Sequence, residues 1–284
     1  MELETRYVRP PQEALDALVA EGFAAAGESP EASAVTWIEV GSASIVVLGG
    51  RTALRVARQP SGAPELLRAQ ALVDSLPDLP FAVPRSIGEP VTVEGHLAIP
   101  TLRVEGEPHP PHQGEPGPLR ALLEAVHGID PEPVRVHLAE PRSFMGGADW
   151  ERVLRDRVVP LLGSNVRDEA RRRIDALVGL EPVEVVVNHG DLAGSNVLWR
   201  DGRVSGVLDW DLTALDDPAE DLSSLASWHG WALAAQLADA AGVARAEVFH
   251  GCGPLQVVAF AVLNDRPADE LARVVARAEA RLAG

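Results

Sequence analysis

The stretch Val185-Val186-Val187-Asn188-His189-Gly190-Asp191-Leu192-Ala193-Gly194-Ser195-Asn196-Val197-Leu198-Trp199 decides how this chain is read. Three valines lead in and Val197-Leu198-Trp199 lead out, β-branched and aromatic runs of the kind that fill buried strands. Between them lies a polar loop carrying His189, Asp191 and Asn196. Gly202 then turns the chain, and Val204 to Leu208 form another strand ending in Asp209-Trp210-Asp211. The pattern delivers three oxygen-bearing side chains, Asp191, Asn196 and Asp209, to the ends of adjacent short strands. Oxygens presented that way suit Mg²⁺, a hard cation that keeps waters and takes one or two protein ligands beside substrate phosphates.

Upstream of this island the chain is rich in β signals. Leu15, Leu18, Val19 and Phe23 recur at helical spacing behind Pro11, which predicts a helix over 11–25. Short strands are expected at Val35–Val40, Ile45–Leu48 and Thr52–Ala57, with Gly49-Gly50 as a tight turn between the last two. A helix over 63–76 follows, then strands over 85–93 and 96–102, making a small five-stranded sheet with one helix. Residues 105–118, EGEPHPPHQGEPGP, are crowded with proline and glycine and read as a connecting loop. Beyond it helical periods prevail, at 119–128, 149–163, 167–180, 219–227, 231–241 and 268–282. The expected class is α+β, with a small β-rich N-terminal lobe over 1–102 and a larger helical C-terminal lobe over 103–284.

Composition narrows the partners. With 46% hydrophobic and 24% charged residues, the 284-residue chain is an ordinary globular protein rather than a disordered tail, a collagen or a coiled-coil rod. Forty-two acidic against 25 basic residues give a net charge of −17, and every basic residue is arginine. Such a surface repels phosphate backbones and anionic lipid, so nucleic acid and membranes are not expected partners. It would attract a small cationic molecule, with solubility alone as the other reading of the charge. One cysteine, Cys252, excludes an intrachain disulfide and a cysteine metal cluster. The acidic start Met1-Glu2-Leu3-Glu4 does not read as a secretory leader, and no window approaches 18 uninterrupted apolar residues. A cytoplasmic location is the expectation.

The order H-x-D-x₄-N, then an apolar strand and D, resembles the catalytic and metal loops of the kinase-like antibiotic phosphotransferases, the aminoglycoside and macrolide phosphotransferase family. Its H-G-D-L-x₃-N-h-L matches His189-Gly190-Asp191-Leu192 through Asn196-Val197-Leu198, and its G-h-h-D-W matches Gly206-Val207-Leu208-Asp209-Trp210. The later D-P-A-x-D-L matches Asp217-Pro218-Ala219-Glu220-Asp221-Leu222. The block NHGDLAGSNVLW with SGVLDWD is also similar to viomycin and capreomycin phosphotransferases. The resemblance implies a bilobal protein-kinase-like fold and transfer of the γ-phosphoryl group of ATP or GTP to a hydroxyl of an antibiotic-like acceptor. Asp191 would accept the hydroxyl proton, Asn196 and Asp209 would hold Mg²⁺, and His189 and Asp221 would brace the loop.

The same resemblance calls for a cation on the third strand. In Thr52-Ala53-Leu54-Arg55-Val56-Ala57, Ala53, Arg55 and Ala57 share one face. Arg55 stands where the family has lysine, and small Ala53 leaves room for the base. Glu65 is the candidate helix partner of Arg55, although the family position falls nearer Arg68 or Ala69. Ser42, in Gly41-Ser42-Ala43-Ser44, marks a phosphate-covering turn that lacks G-x-G-x-x-G. Asp211 reads as a substrate-facing acid, a supporting acid or simply a solvated one. Two alternatives stand beside the antibiotic reading: a kinase of a small metabolite hydroxyl, and a catalytically silent kinase-like nucleotide-binding module.

Overall fold

A computed structural model describes residues 7–29 and 35–284. The acidic start at Met1–Glu4 lies outside them. In chain order the first elements are α1 (Gln12–Ala25), β1 (Thr36–Ile38), β2 (Ser44–Leu48), β3 (Thr52–Ala57), α2 (Ala63–Ser75), β4 (Val91–Val93), β5 (His96–Leu102) and β6 (Glu107–Pro108). Helix α3 (Pro116–His127), two single turns, α4 (Pro131–Val134) and α5 (Trp150–Val153), and α6 (Arg167–Val178) follow. The last third holds β7 (Val186–Asn188), β8 (Val197–Arg200), β9 (Arg203–Val207), β10 (Ala214–Asp216), α7 (Ala219–His229), α8 (Trp231–Leu237), α9 (Ala240–Leu263) and α10 (Ala268–Ala283). The chain divides into two compact units. One comprises Met1–Pro108, Glu132–His137 and Val197–Asp211, the other His109–Pro131, Leu138–Asn196 and Leu212–Gly284.

In the first unit an antiparallel sheet runs in the order β1-β2-β3-β5-β4. Its alternation decides what each face meets. Ile45, Val47, Leu54, Val56 and Ala98 point one way and bury against Leu15, Leu18, Val19 and Phe23 of α1. The approach is so close that a Cβ on Gly22 of α1 would overlap the Leu54 side chain. Ala57, Leu97 and Ile99 point the other way and pack on Leu66 of α2. The sheet therefore carries a helix on each face, where the sequence reading placed one. Expected strands shorten at their ends: Val35–Val40 retains only Thr36–Ile38, and 85–93 retains Val91–Val93 plus an isolated bridge from Ser86 to Thr101. Pro84 and Pro90 have no N–H to give a ladder.

A second sheet in this unit has the order β6-β8-β9. Glu107 and Pro108, read from sequence as part of a loop, pair with Trp199 and Leu198. Ala82 exchanges backbone hydrogen bonds with Ser205 and Val207 at 2.9 and 3.0 Å, stitching this sheet to the segment ahead of β4.

The second unit is helical around one ribbon, in which β7 pairs with β10, Asn188 facing Ala214. The island over 184–208 is thus not one set of adjacent strands: β7 belongs to this ribbon, and β8 pairs with β6 and β9 instead. Leu119, Leu122, Val126, Leu154, Ile174 and Leu225 are fully or nearly fully buried. The expected helix over 149–163 breaks into α5, a π turn at Leu154–Val158 and a 3₁₀ turn at Val159–Leu161, since Pro160 cannot donate within a helix.

The longest helix, α9, escaped the sequence reading. Asp239 caps it, accepting from Gly242 N–H at 2.8 Å, and Phe249, Cys252, Leu255 and Val258 bury against α6, α7 and α10. By length and composition this helix is apolar enough to cross a membrane, with a mean hydropathy of 1.4 in its most apolar window. Its eight buried residues instead line the core of this unit.

Candidate active site

The loop between β7 and β8 is built around a fully buried histidine. Asn188 Nδ2 donates to Asp217 O at 2.9 Å, fixing the end of β7. The chain then turns at Gly190, whose φ of +82° is left-handed; a Cβ there would also lie 2.9 Å from the Leu212 carbonyl oxygen. Glycine meets both demands. Asp221, fully buried near the start of α7, accepts from the backbone N–H of His189 at 3.0 Å and of Gly190 at 2.9 Å. Its Oδ2 also lies 3.1 Å from His127 Nε2. His189 Nδ1 accepts from the Asp191 N–H at 3.2 Å. An imidazole and a carboxylate thus hold the loop from within, and neither is on the surface.

Two sequence-predicted residues meet on this loop. Asn196 Nδ2 donates to the Asp191 carboxylate and to the Asp191 backbone oxygen, both at 2.9 Å. That orientation turns Asn196 Oδ1 away from Asp191, where Ser195 Oγ approaches at 3.5 Å. Burial raises the Asp191 carboxyl above its ordinary pKa, opposed by His189 and by the Asn196 amide. A carboxylate destabilised by burial is a better proton acceptor than a solvated one.

The other predicted residues lie in the first unit. Asp209 follows β9 with φ +60°, an uncommon conformation for a non-glycine residue. Next to it Trp210 is fully buried and donates from Nε1 to Val207 O at 3.1 Å. Arg55 Nη2 donates to both oxygens of Asp211, at 3.0 and 2.9 Å, with side chains only 11% and 18% exposed. Burial works against the Arg55 charge, but Asp211 and Asp209 outweigh it and hold its pKa above the ordinary value.

Here the structure corrects one pairing. Glu65 does not partner Arg55; it is 61% exposed and pairs with Arg68 one helical turn on, at 2.6 Å. Ala53 is buried on β3, its carbonyl accepting from Thr101 Oγ1 at 2.8 Å. Ser42 is exposed on the link between β1 and β2. That link is held from beneath by Arg58, which donates to the carbonyls of Gly41, Glu39 and Val8 at 2.8, 2.5 and 3.0 Å. Sequence reasoning missed Arg58, Arg68 and the pairing of Asp211. For Asp211 one signal was present, its position two residues past Asp209 in an apolar strand exit.

Mg²⁺ fits the donor chemistry. Among the described residues no group of three or more His, Cys, Asp or Glu side chains gathers as a metal set. The Asp209 carboxylate in the first unit and the Asn196 amide oxygen in the second are each hard oxygen donors of the type that Mg²⁺ takes in small number beside phosphates and water.

A sheet covered by two helices, a buried His–Asp loop and a paired strand arginine define a kinase-like phosphotransferase. The chain belongs to the phosphotransferase enzyme family, whose profile matches residues 41–255. Among curated proteins it is 31% identical over 252 residues to viomycin phosphotransferase of Streptomyces vinaceus, covering 80% of this chain and 84% of that one. Solved structures share the fold at lower identity. A GDP complex of an aminoglycoside 2'-phosphotransferase aligns over 96% of this chain and 99% of its own, with 17% identity and a TM-score of 0.75. A macrolide 2'-phosphotransferase from Brachybacterium faecium aligns over 95% and 98%, with 21% identity and a TM-score of 0.68.

Proposed function

We propose that the chain transfers the γ-phosphoryl group of ATP or GTP to a hydroxyl of a small cationic antibiotic-like acceptor, with a tuberactinomycin peptide the first candidate. The observation that carries the reading is the Asp191 carboxylate, raised in pKa by burial and oriented by Asn196 on a loop braced by Asp221. Asp191 accepts the hydroxyl proton and aims the oxygen at the γ-phosphorus. Arg55 grips the α- and β-phosphates from β3, where a guanidinium offers two parallel donors in place of an ammonium. Ala53 leaves space for the base, and the link bearing Ser42 lies over the phosphates. The N-terminal elements serve as the nucleotide lobe and the C-terminal helices as the acceptor lobe.

Asn196 and Asp209 hold Mg²⁺. Held there, Mg²⁺ would supply positive charge against the phosphate charge that redistributes in the transition state. The 31% identity to a viomycin phosphotransferase and the net charge of −17 both favour a cationic acceptor. The GDP bound to the aminoglycoside enzyme supports a purine nucleotide.

The test is a mass-spectrometric screen for an added phosphate with Mg-ATP and Mg-GTP against tuberactinomycins, aminoglycosides and macrolides. A phosphorylated tuberactinomycin is the expected product. With a proven acceptor, Asp191→Ala retains Mg-nucleotide binding and loses turnover by roughly 10²–10⁴-fold, the range for a general base. Unchanged turnover in that variant overturns the assignment. Nucleotide binding without any product across the panel favours a metabolite kinase or a silent module.

A further inference from the structure

Arg68 has more to do than its exposed partner Glu65 suggests. Its side chain is 19% exposed, and its fork reaches two backbone carbonyls from separate segments: Nη2 donates to Asp211 O at 2.6 Å, and Nη1 to His137 O. Nε and Nη2 also meet Glu65. A lysine, whose donors all lie on one atom, has no comparable span. The turn it grips, Asp209-Trp210-Asp211, begins in the left-handed conformation at Asp209. A residue in that conformation persists only where its surroundings over-determine it. Here three contacts do so: Trp210 Nε1 to Val207 O, Arg55 to the Asp211 carboxylate, and Arg68 to the Asp211 carbonyl. Two cations, one from β3 and one from α2, therefore converge on a single aspartate.

We propose that Arg68 is a positioning residue for the metal-binding turn, holding Asp209 in its ligating conformation through the Asp211 carbonyl. Asp211, rather than an acid on α2, then serves as the carboxylate partner of Arg55. This rests on the reading of Asp209 as an Mg²⁺ ligand. Helix α2 contributes a cation to the site, and the acid that orients Arg55 sits on the same turn as the metal ligand.

The test measures nucleotide binding by the full-length protein as a function of Mg²⁺ concentration, for wild type, Arg68→Met and Arg68→Lys. Arg68→Met raises the Mg²⁺ concentration at half-maximal binding by roughly tenfold or more, the usual scale for residues that orient a metal ligand. Affinity for nucleotide without Mg²⁺ stays within about twofold, because the Arg55–Asp211 pair remains. Arg68→Lys keeps the charge but spans one carbonyl only, and falls between the two. It decides the matter if Arg68→Met does not fold. A folded variant with the wild-type Mg²⁺ midpoint and merely a lower melting temperature overturns the proposal, leaving Arg68 a structural tie. Wild-type binding that ignores Mg²⁺ overturns the reading of Asp209 beneath it, and is told apart by appearing without any substitution.

Discussion

Asp221 accepts the backbone N–H of His189 at 3.0 Å, so the loop that presents Asp191 takes its shape from a buried carboxylate on the next helix. The same side chain takes the Gly190 N–H and meets His127. Removing it strands two buried donors, each costing about 1–3 kcal/mol. Asp221→Ala is therefore expected to lower folding stability by on the order of 3 kcal/mol, read from the denaturant midpoint. His127→Phe, which deletes one contact and leaves the carboxylate satisfied by two amides, lowers it by about 1 kcal/mol. Equal effects from the two variants would show that the backbone contacts contribute nothing.

Arg55 and its partner yield a second test. Because both side chains are mostly buried, Asp211→Asn leaves the guanidinium without its hydrogen-bonded carboxylate and with only Asp209 as nearby counter-charge, a loss of up to about 3–5 kcal/mol for a buried pair. Nucleoside triphosphate, if it binds against Arg55, replaces the missing negative charge. Thermal stabilisation by nucleotide is then larger in Asp211→Asn than in wild type. Glu65→Gln removes the exposed member of the Glu65–Arg68 pair, worth at most about 1 kcal/mol, and shifts nucleotide affinity by less than about twofold. A large effect of Glu65→Gln with none from Asp211→Asn would restore the helix glutamate to the role the sequence suggested.

What the sequence made legible was local. Strand β3 announced itself by alternation, and the loop from His189 to Asn196 by the order of its polar residues between apolar runs. Helix α9 was hidden because Gly242, Gly251, Gly253 and Pro254 interrupt its period, and helix propensity alone disfavours each of them. Burial of Phe249, Leu255 and Val258 outweighs that deficit, and burial is a tertiary fact. The partner of Arg55 was illegible for a related reason. Glu65 was the candidate acid on α2 although the spacing fell nearer Arg68 or Ala69, whereas the acid that reaches Arg55 comes from a turn more than 150 residues away in sequence, Asp211. Likewise β7 and β8 are neighbours in sequence but pair with β10 and β9, a choice fixed by register and not by composition.

Glu220 makes stability depend on pH. Burial first, then the nearby carboxylates of Asp216 and Asp221, push its carboxyl up to about 8. A carboxyl with a higher pKa in the folded chain than the unfolded one holds its proton more tightly when folded. Its protonated form therefore supports the fold fully below the unfolded pKa, and that support is lost as pH rises towards about 8. Glu220→Gln keeps the shape and cannot ionise. Its melting temperature should match wild type near pH 5 and exceed it at pH 9, with a gap on the order of a few kcal/mol in stability. A gap that stays constant across that range would show that Glu220 ionises in the folded chain as it does in the unfolded one.

Gly194, within the same loop as Asp191 and Asn196, lies against the indole of Trp228. A Cβ at this position would overlap the Trp228 ring, and the ring is itself fixed, its Nε1 donating to His109 O at 2.8 Å. Space rather than backbone conformation sets the requirement for glycine, since Gly194 is not among the residues with positive φ. Gly194→Ala must therefore move either the loop or the tryptophan. Displacement of the loop by even about 1 Å costs on the order of 10²-fold in turnover, while nucleotide affinity, assigned to Arg55 in the proposed function, changes little. Trp228→Leu vacates the space, so the double variant recovers most of the turnover lost by Gly194→Ala. Additive losses in kcat would show that the two residues act independently, since residues in contact couple and separated ones do not.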